Sequence, residues 1–125
     1  MAKLFLIFGS TLGGLAVAIG AFGAHALKSI LEANNRLETF ETGVKYQFYH
    51  ALALILLGLL MQKIDHKLLN FAGYGFFIGV IIFSGSLYIL SLTGVTKWGA
   101  LTPIGGVAFI FGWVALLIGI IRSAN

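Results

Sequence analysis

Four long apolar runs dominate this chain, and shorter polar stretches separate them. The runs cover approximately residues 4–24, 46–61, 69–92 and 100–121, and the second is short for a span, so we expect its helix to extend backwards. About 20 consecutive apolar residues let a helix span the hydrocarbon core of a bilayer, and a helix satisfies its own backbone hydrogen bonds there. The pattern therefore predicts an all-α fold, an integral membrane four-helix bundle in which residues 1–125 form a single transmembrane domain.

The stretch between the first two runs has a different pattern, because charged side chains alternate there with apolar ones at a helical period. The apolar members are Ile30, Leu31, Leu37, Phe40 and Val44, and the charged members are Glu32, Arg36, Glu38, Glu41 and Lys45. Such a two-faced pattern is typical of a helix lying in the membrane interface. We therefore predict an interfacial amphipathic helix between spans one and two, over about residues 29–45, with Asn34–Asn35 as a candidate break.

Glycines recur on one face of the first and fourth runs. They are Gly9, Gly13, Gly20 and Gly23 in the first run and Gly105, Gly112 and Gly119 in the fourth. Small side chains let the backbones of neighbouring transmembrane helices approach closely. The stripes therefore predict helix packing, with the lining of a pore as the alternative.

The composition excludes a water-soluble domain. Only 10% of the residues are charged, whereas soluble domains carry about 25%. The absence of cysteine excludes disulfides, thiol catalysis and cysteine metal sites. The net charge of +4 is better explained by loops that contact anionic lipid than by nucleic acid, since basic clusters with interleaved aromatic residues are missing outside the runs.

The first run also resembles a secretory signal, with Lys3 before it and Ala24–Ala26 as a small-x-small triplet. It is longer than the usual signal core of about 7–15 residues, so a retained span is favoured.

Four spans place both termini on one side of a cell-membrane protein. The basic residues divide four against four, Lys3, Lys63, Lys67 and Arg122 against Lys28, Arg36, Lys45 and Lys97. The positive-inside rule is therefore undecided; three acidic residues in the long loop tip the prediction to cytoplasmic termini.

Alternate spans run in opposite directions, so their polar residues should meet at one membrane face. The candidate polar cluster consists of His25, Tyr46, Gln47, His50, Ser84 and Tyr88. Polar side chains at membrane depth are costly and normally face the bundle interior. The simplest interpretation is a hydrogen-bonded cluster that holds the ends of the spans together.

Three functional interpretations of this cluster stay open. Two histidines could ligate a metal or a haem, or a histidine could relay protons in a small carrier or conduit. A lipid-like or small amphiphilic ligand could also bind between the spans, with Lys28, Arg36 or Lys45 near its phosphate. Neither a Ser-His-acid set nor a phosphate-binding glycine motif occurs in the sequence. We therefore expect a non-enzymatic membrane component without catalytic residues, metal or cofactor. Its expected partners are membrane lipid and a small amphiphile, with a homo-oligomer undetermined and nucleic acid excluded.

Five segments of the chain resemble a known family of small bacterial membrane proteins, the domain of unknown function 423, and more distantly eukaryotic transmembrane protein 256. The segments are Gly20–Lys28, Phe40–Gln47, Tyr49–Leu54, Phe83–Tyr88 and Leu101–Gly106. The resemblance covers nearly the whole chain. It implies a complete four-span membrane protein, and it carries no established activity, cofactor or catalytic residue.

Overall fold

The computed structural model describes residues 1–124, and four of its helical segments are long and apolar enough to cross a membrane. The first segment comprises α1 (Ala2–Ala18), a π-helical turn (Ile19–Gly23) and α2 (Ala24–Ala26). The remaining elements are α3 (Lys28–Ala33), α4 (Leu37–Leu60), α5 (Lys67–Thr93), a 3-10 turn (Thr96–Ala100) and α6 (Thr102–Arg122). The predicted all-α membrane bundle is confirmed. The side on which its termini lie stays a prediction.

The predicted interfacial helix over residues 29–45 breaks at Asn34–Asn35 as expected, but its extent is wrong, because its second part belongs to the second span. α3 ends at Ala33, and Asn35 adopts a left-handed backbone conformation with φ of 54°. Around it the Arg36 N–H donates to the Leu31 carbonyl (2.8 Å) and the Asn35 N–H donates to the Glu32 carbonyl (3.0 Å). This pair of bonds is the Schellman ending of a helix. Residues 37–45 are the first turns of α4, which begins at residue 37 and not at 46.

α3 is tied to the end of α5. Its Leu31 is fully buried, and the Asn34 side chain donates to the carbonyl oxygens of Ser91 (3.0 Å) and Leu92 (3.3 Å). The last carbonyls of a helix lack partners within the helix, so Asn34 supplies one from a distant part of the chain. α5 itself ends at Thr93 and is capped by Gly94, which has φ of 72°. The short interfacial helix is therefore held over the loop-side end of the bundle.

Asn34→Ala should lower the free energy of unfolding by about 1 kcal/mol, since it removes a partner from the last turn of α5. The first consequence should be faster amide hydrogen exchange in α3. Glu32→Ala is the matched control, because the Glu32 side chain is exposed and, within residues 1–124, its one contact of this kind is a long ion pair with Lys28 (3.9 Å). That pair contributes about 0.5 kcal/mol at most. Equal exchange rates in the two variants would contradict the anchoring role of Asn34.

The bundle is built around the antiparallel pair α4 and α5. α1 packs on α4, and α6 packs on α5. All seven glycines of the predicted stripes lie beside a neighbouring helix: Gly9 and Gly13 beside Ala51, Gly20 beside Val44, Gly23 beside Phe40, Gly105 beside Phe83, Gly112 beside Phe76, and Gly119 beside Leu69. At Gly9 an added Cβ would lie 2.7 Å from the Ala51 carbonyl oxygen. Such separations require glycine, because a backbone atom cannot rotate away.

The bundle is tight on the side of the termini and opens on the side of the long loop. On the terminal side Phe5 of α1 is fully buried and packs edge-on against Tyr74 of α5. One turn further along, Phe8 and Phe77 stack with their ring centroids 4.0 Å apart. Beyond Leu12 a groove separates α1 from α5. The candidate site lies in that opening.

Candidate functional site

The groove between α1 and α5, hereafter the α1–α5 groove, has apolar walls and a polar floor. Leu12, Leu15 and Ile19 line it from α1, and Val80, Ile81, Ser84, Gly85 and Tyr88 line it from α5. Gln47 of α4 lies at its bottom, and the volume is about 300 Å³. Three of the six residues predicted for the polar cluster, Gln47, Ser84 and Tyr88, therefore line one concave surface.

These three side chains belong to hydrogen bonds that join α1, α4 and α5. The Gln47 amide nitrogen Nε2 donates to the Leu12 carbonyl (2.8 Å), and the Tyr88 hydroxyl donates to Gln47 Oε1 (2.6 Å). The Ser84 hydroxyl donates to the Gly43 carbonyl (2.7 Å). Gly43 has no side chain to separate α4 from the Tyr88 ring, and a Cβ there would lie 2.8 Å from Tyr88 Cε1. The floor of the groove is thus fixed by its own bonds.

An apolar compartment continues the groove towards the long loop. Its walls come from Ala18, Ile19, Gly23, Leu27, Phe40, Tyr88 and Leu92, and its volume is about 370 Å³. Ile19 and Tyr88 line both spaces, so the two are adjacent. The π-helical turn Ile19–Gly23 forms part of this wall, and π turns inside helices are frequent at functional sites. Gly20 and Ala24, with Glu41 and Lys45, line a smaller pocket of about 190 Å³ on the other side of the same turn.

His50 takes part in a separate arrangement that joins α4 to α6. The Trp113 indole N–H donates to His50 Nε2 (3.0 Å), and His50 Nδ1 lies 2.8 Å from the Tyr46 carbonyl oxygen. An indole nitrogen can only donate, so Nε2 is the acceptor and Nδ1–H is the donor to Tyr46. The imidazole is therefore neutral in this geometry. Its ring stacks on Phe109 at 3.7 Å between centroids and 10° between planes.

The same geometry bears on the metal and haem interpretation. Both ring nitrogens of His50 already have partners, so coordination would require the loss of the bond to Trp113 or to Tyr46. Within residues 1–124, the acidic and histidine side chains form no group of three that could hold a metal ion.

His25 does not join the other predicted residues. It is exposed and forms no side-chain hydrogen bond with any part of the chain that the structure describes. Gly23 packs at the level of Phe40, which precedes His50 by ten residues of α4, or about 15 Å of helix rise. His50 itself lies near the middle of α4. The prediction that both histidines gather at one rim is therefore wrong, because His25 ends the first span while His50 lies deep in the second.

Tyr46 also stands apart from the groove. Its side chain is 39% exposed and packs against Phe83 at 4.6 Å between ring centroids. Its carbonyl oxygen, and not its hydroxyl, meets His50. The six predicted residues therefore divide into the groove floor (Gln47, Ser84 and Tyr88), the aromatic contact with α6 (His50, flanked by Tyr46) and the exposed His25.

Sequence reasoning missed the partners that give these residues their surroundings. Trp113 and Phe109 complete the His50 arrangement, and the Leu12 carbonyl completes that of Gln47. One signal was available, because tryptophan is enriched at membrane interfaces whereas Trp113 lies at the middle of its span. A backbone carbonyl gives no such signal in the sequence.

The comparisons with known proteins identify relatives along almost the whole chain. The model of the family "Protein of unknown function (DUF423)" matches residues 19–106. A UPF0382 membrane protein of Staphylococcus aureus is 44% identical over 98% of this chain and 99% of its own length. The UPF0382 membrane protein YwdK of Bacillus subtilis is 42% identical over 96% and 98%. The UPF0382 inner membrane protein YgdD of Escherichia coli is 38% identical over 97% and 92%. No solved structure matches this chain.

Proposed function

We propose that this chain, which belongs to the DUF423 family of membrane proteins, is a non-enzymatic membrane component. It holds a lipid-like amphiphile in the α1–α5 groove. The observation that carries the proposal is the groove itself, in which a polar floor opens directly onto an apolar compartment. Small-molecule sites are typically concave and mostly apolar, with a few polar groups that fix the orientation of the ligand. Gln47, Ser84 and Tyr88 are such groups.

The apolar compartment suits a hydrocarbon chain. Its walls are Ala, Ile, Gly, Leu and Phe side chains apart from the Tyr88 ring. Burying hydrocarbon from the bilayer in protein gives little hydrophobic gain, because lipid tails are equally apolar. The affinity must therefore come from shape and from the polar floor. This division of roles favours an amphiphile over a purely apolar molecule.

The position of the groove assigns it to one leaflet. It opens in the half of the bundle that carries the long loop, where Lys28 follows the wall residue Leu27. With the termini on the cytoplasmic side, as we propose, the groove belongs to the outer leaflet. The proposal therefore concerns an amphiphile of that leaflet.

Ala18→Phe should reduce the amphiphile retained by the purified protein about tenfold, because a phenyl ring at this position occupies part of the apolar compartment and narrows it. Ala18 is exposed towards that compartment, so the larger side chain meets no tightly packed neighbour. The measurement is mass spectrometry of the lipid that stays with the protein after extraction in a mild detergent. Equivalent expression and helical content of the variant establish that it folds.

Ala21→Phe is the control for this experiment. Ala21 is also exposed and lies three residues further along, but it lines neither the α1–α5 groove nor the apolar compartment. The Ala21→Phe variant should retain the same lipid as the unmodified protein. Equal loss in both variants, or no specific lipid in any of the three proteins, would overturn the proposed function.

A further inference from the structure

We infer, building on the proposed function, that the amphiphile has a small, uncharged head that carries a hydrogen-bond donor, such as the hydroxyl group of a diacylglycerol. The inference follows from the donors and acceptors of the groove floor. Most of their hydrogens are already used in bonds inside the protein, and the remaining lone pairs are what a ligand can meet.

The amide of Gln47 has a single permitted orientation. A backbone carbonyl can only accept, so the atom 2.8 Å from the Leu12 oxygen must be the nitrogen Nε2. Oε1 then faces the Tyr88 hydroxyl at 2.6 Å and must receive its proton. Tyr88 therefore uses its only hydrogen within the protein, and its oxygen keeps a lone pair.

Ser84 shows the same polarity. Its hydroxyl proton goes to the Gly43 carbonyl, which can only accept. The Ser84 oxygen therefore also has acceptor capacity left and no free hydrogen. The second N–H of Gln47 is the one uncommitted donor of the floor, but the Gln47 side chain is only 3% exposed. The Ser84 side chain is buried still further, at 1% exposed, so the polar atom that a ligand meets is the Tyr88 hydroxyl oxygen, which can accept a hydrogen bond.

The Tyr88 hydroxyl could donate to a ligand only by rotating away from Gln47, and this rotation has an energetic cost. Gln47 Oε1 would lose its partner, and an unsatisfied buried acceptor is more destabilising than a hydrogen bond is stabilising. An ester or ketone oxygen in the groove would face the lone pair of the Tyr88 oxygen. A hydroxyl or amide N–H would instead complete the series of bonds that ends at Leu12.

The charge and depth of the floor select an uncharged head. None of the residues lining the α1–α5 groove or the apolar compartment is charged. Tyr88 lies five residues before the end of α5, or about 8 Å along the helix axis. A phosphate at that depth would have to leave the interface without a compensating charge, which is costly in a bilayer. A single hydroxyl group can descend to this level.

The test is a competition between a probe that carries the hydroxyl donor and one in which an acetyl group replaces the hydroxyl hydrogen, and the double variant below controls for the bulk of that acetyl group. The purified protein in detergent micelles receives equal amounts of 1,2-dioleoylglycerol and its 3-acetyl ester, and native mass spectrometry resolves the two adducts. We expect the free alcohol to be bound about fivefold more than the ester, the ratio expected for one hydrogen bond of ordinary strength. The variant Gln47→Leu with Tyr88→Phe should lower this ratio to below about two. Replacing both partners together leaves neither of them unpaired, so this variant is expected to fold.

The outcomes separate this inference from the proposed function. Equal binding of the two probes to the unmodified protein would overturn the donor requirement and leave an amphiphile site. Binding of neither probe, together with no effect of Ala18→Phe on retained lipid, would overturn the proposed function and this inference with it. A fivefold preference that persists in the double variant would place the recognition elsewhere and also overturn the inference.

Discussion

His50→Ala is expected to lower the free energy of unfolding by about 3 kcal/mol, whereas His25→Ala should change it by less than about 0.5 kcal/mol. The His50 side chain is 5% exposed and stacks on Phe109. Its removal leaves a cavity beside that ring and takes the acceptor away from the Trp113 indole N–H. His25 is exposed at the end of the first span and loses no such contacts.

The measurement is the loss of helical circular dichroism as the protein in mild detergent is titrated with sodium dodecyl sulfate. Adding Trp113→Phe gives a double-mutant cycle that isolates the bond between the two side chains. We expect a coupling of about 0.6 kcal/mol, the average for hydrogen bonds between transmembrane helices, and at most about 1.7 kcal/mol. Similar destabilisation by His25→Ala and His50→Ala, or zero coupling, would contradict the depth and the partner assigned to His50.

The contrast between the two histidines explains why the sequence predicted the fold better than the site. The apolar runs and the glycine stripes depend on the lipid and on close helix approach, which are uniform requirements along each span. They therefore predict four helices and the packing of Gly9 and Gly112 against neighbouring helices, although not which residues they contact. The partners of one polar side chain depend instead on which neighbour its helix face meets.

Gln47 and His50 illustrate this dependence. They are three residues apart on α4 and share roughly one face, so the sequence grouped them. Residues on that face nevertheless contact different helices. Gln47 forms hydrogen bonds with α1 and α5, whereas His50 forms one with Trp113 of α6. The rotation of α4 that directs each side chain to its partner comes from packing at residues such as Gly43, and no periodicity of the sequence encodes it.

The short second apolar run indicates a helix that extends backwards, but hydropathy does not locate the start of α4 at residue 37. Glu38, Glu41 and Lys45 interrupt the apolar pattern, and they suggested a separate interfacial helix. Phe40 lies between them in sequence but is 2% exposed, packed beside Gly23 of the first span and Tyr88 of α5. The bundle therefore extends through these turns, and their charged side chains lie on the outer face of the same helix.

The groove depends on a still less local feature, the departure of α1 from α5 beyond Leu12. Phe5 and Phe8 hold the two helices together on the terminal side through aromatic contacts. On the loop side Leu15 and Ile19 of α1 line a space instead. The topology placed Gln47, Ser84 and Tyr88 in the same half of the membrane, but only the course of α1 makes them the floor of a groove.

Gly105→Ala should lower the free energy of unfolding by about 3 kcal/mol, while Gly106→Ala should leave it unchanged or raise it slightly. A Cβ on Gly105 would lie 2.7 Å from the Cα and Cβ atoms of Phe83, and these atoms of α5 cannot move without shifting the helix. Overpacking of this kind costs about 1–3 kcal/mol even where side chains can adjust. The variant must therefore separate α6 from α5 locally.

Gly106 supplies the control from the next position of the same turn. A Cβ there would meet no atom within 4 Å, and alanine is a better helix former than glycine by about 0.8–1.0 kcal/mol in water. Both variants remove one glycine and add one methyl group, so any difference between them reports the contact with α5. The detergent titration used for His50 measures both. If Gly105→Ala proves as stable as Gly106→Ala, the close packing of α6 on α5 is wrong, and so is the depth at which Trp113 reaches His50.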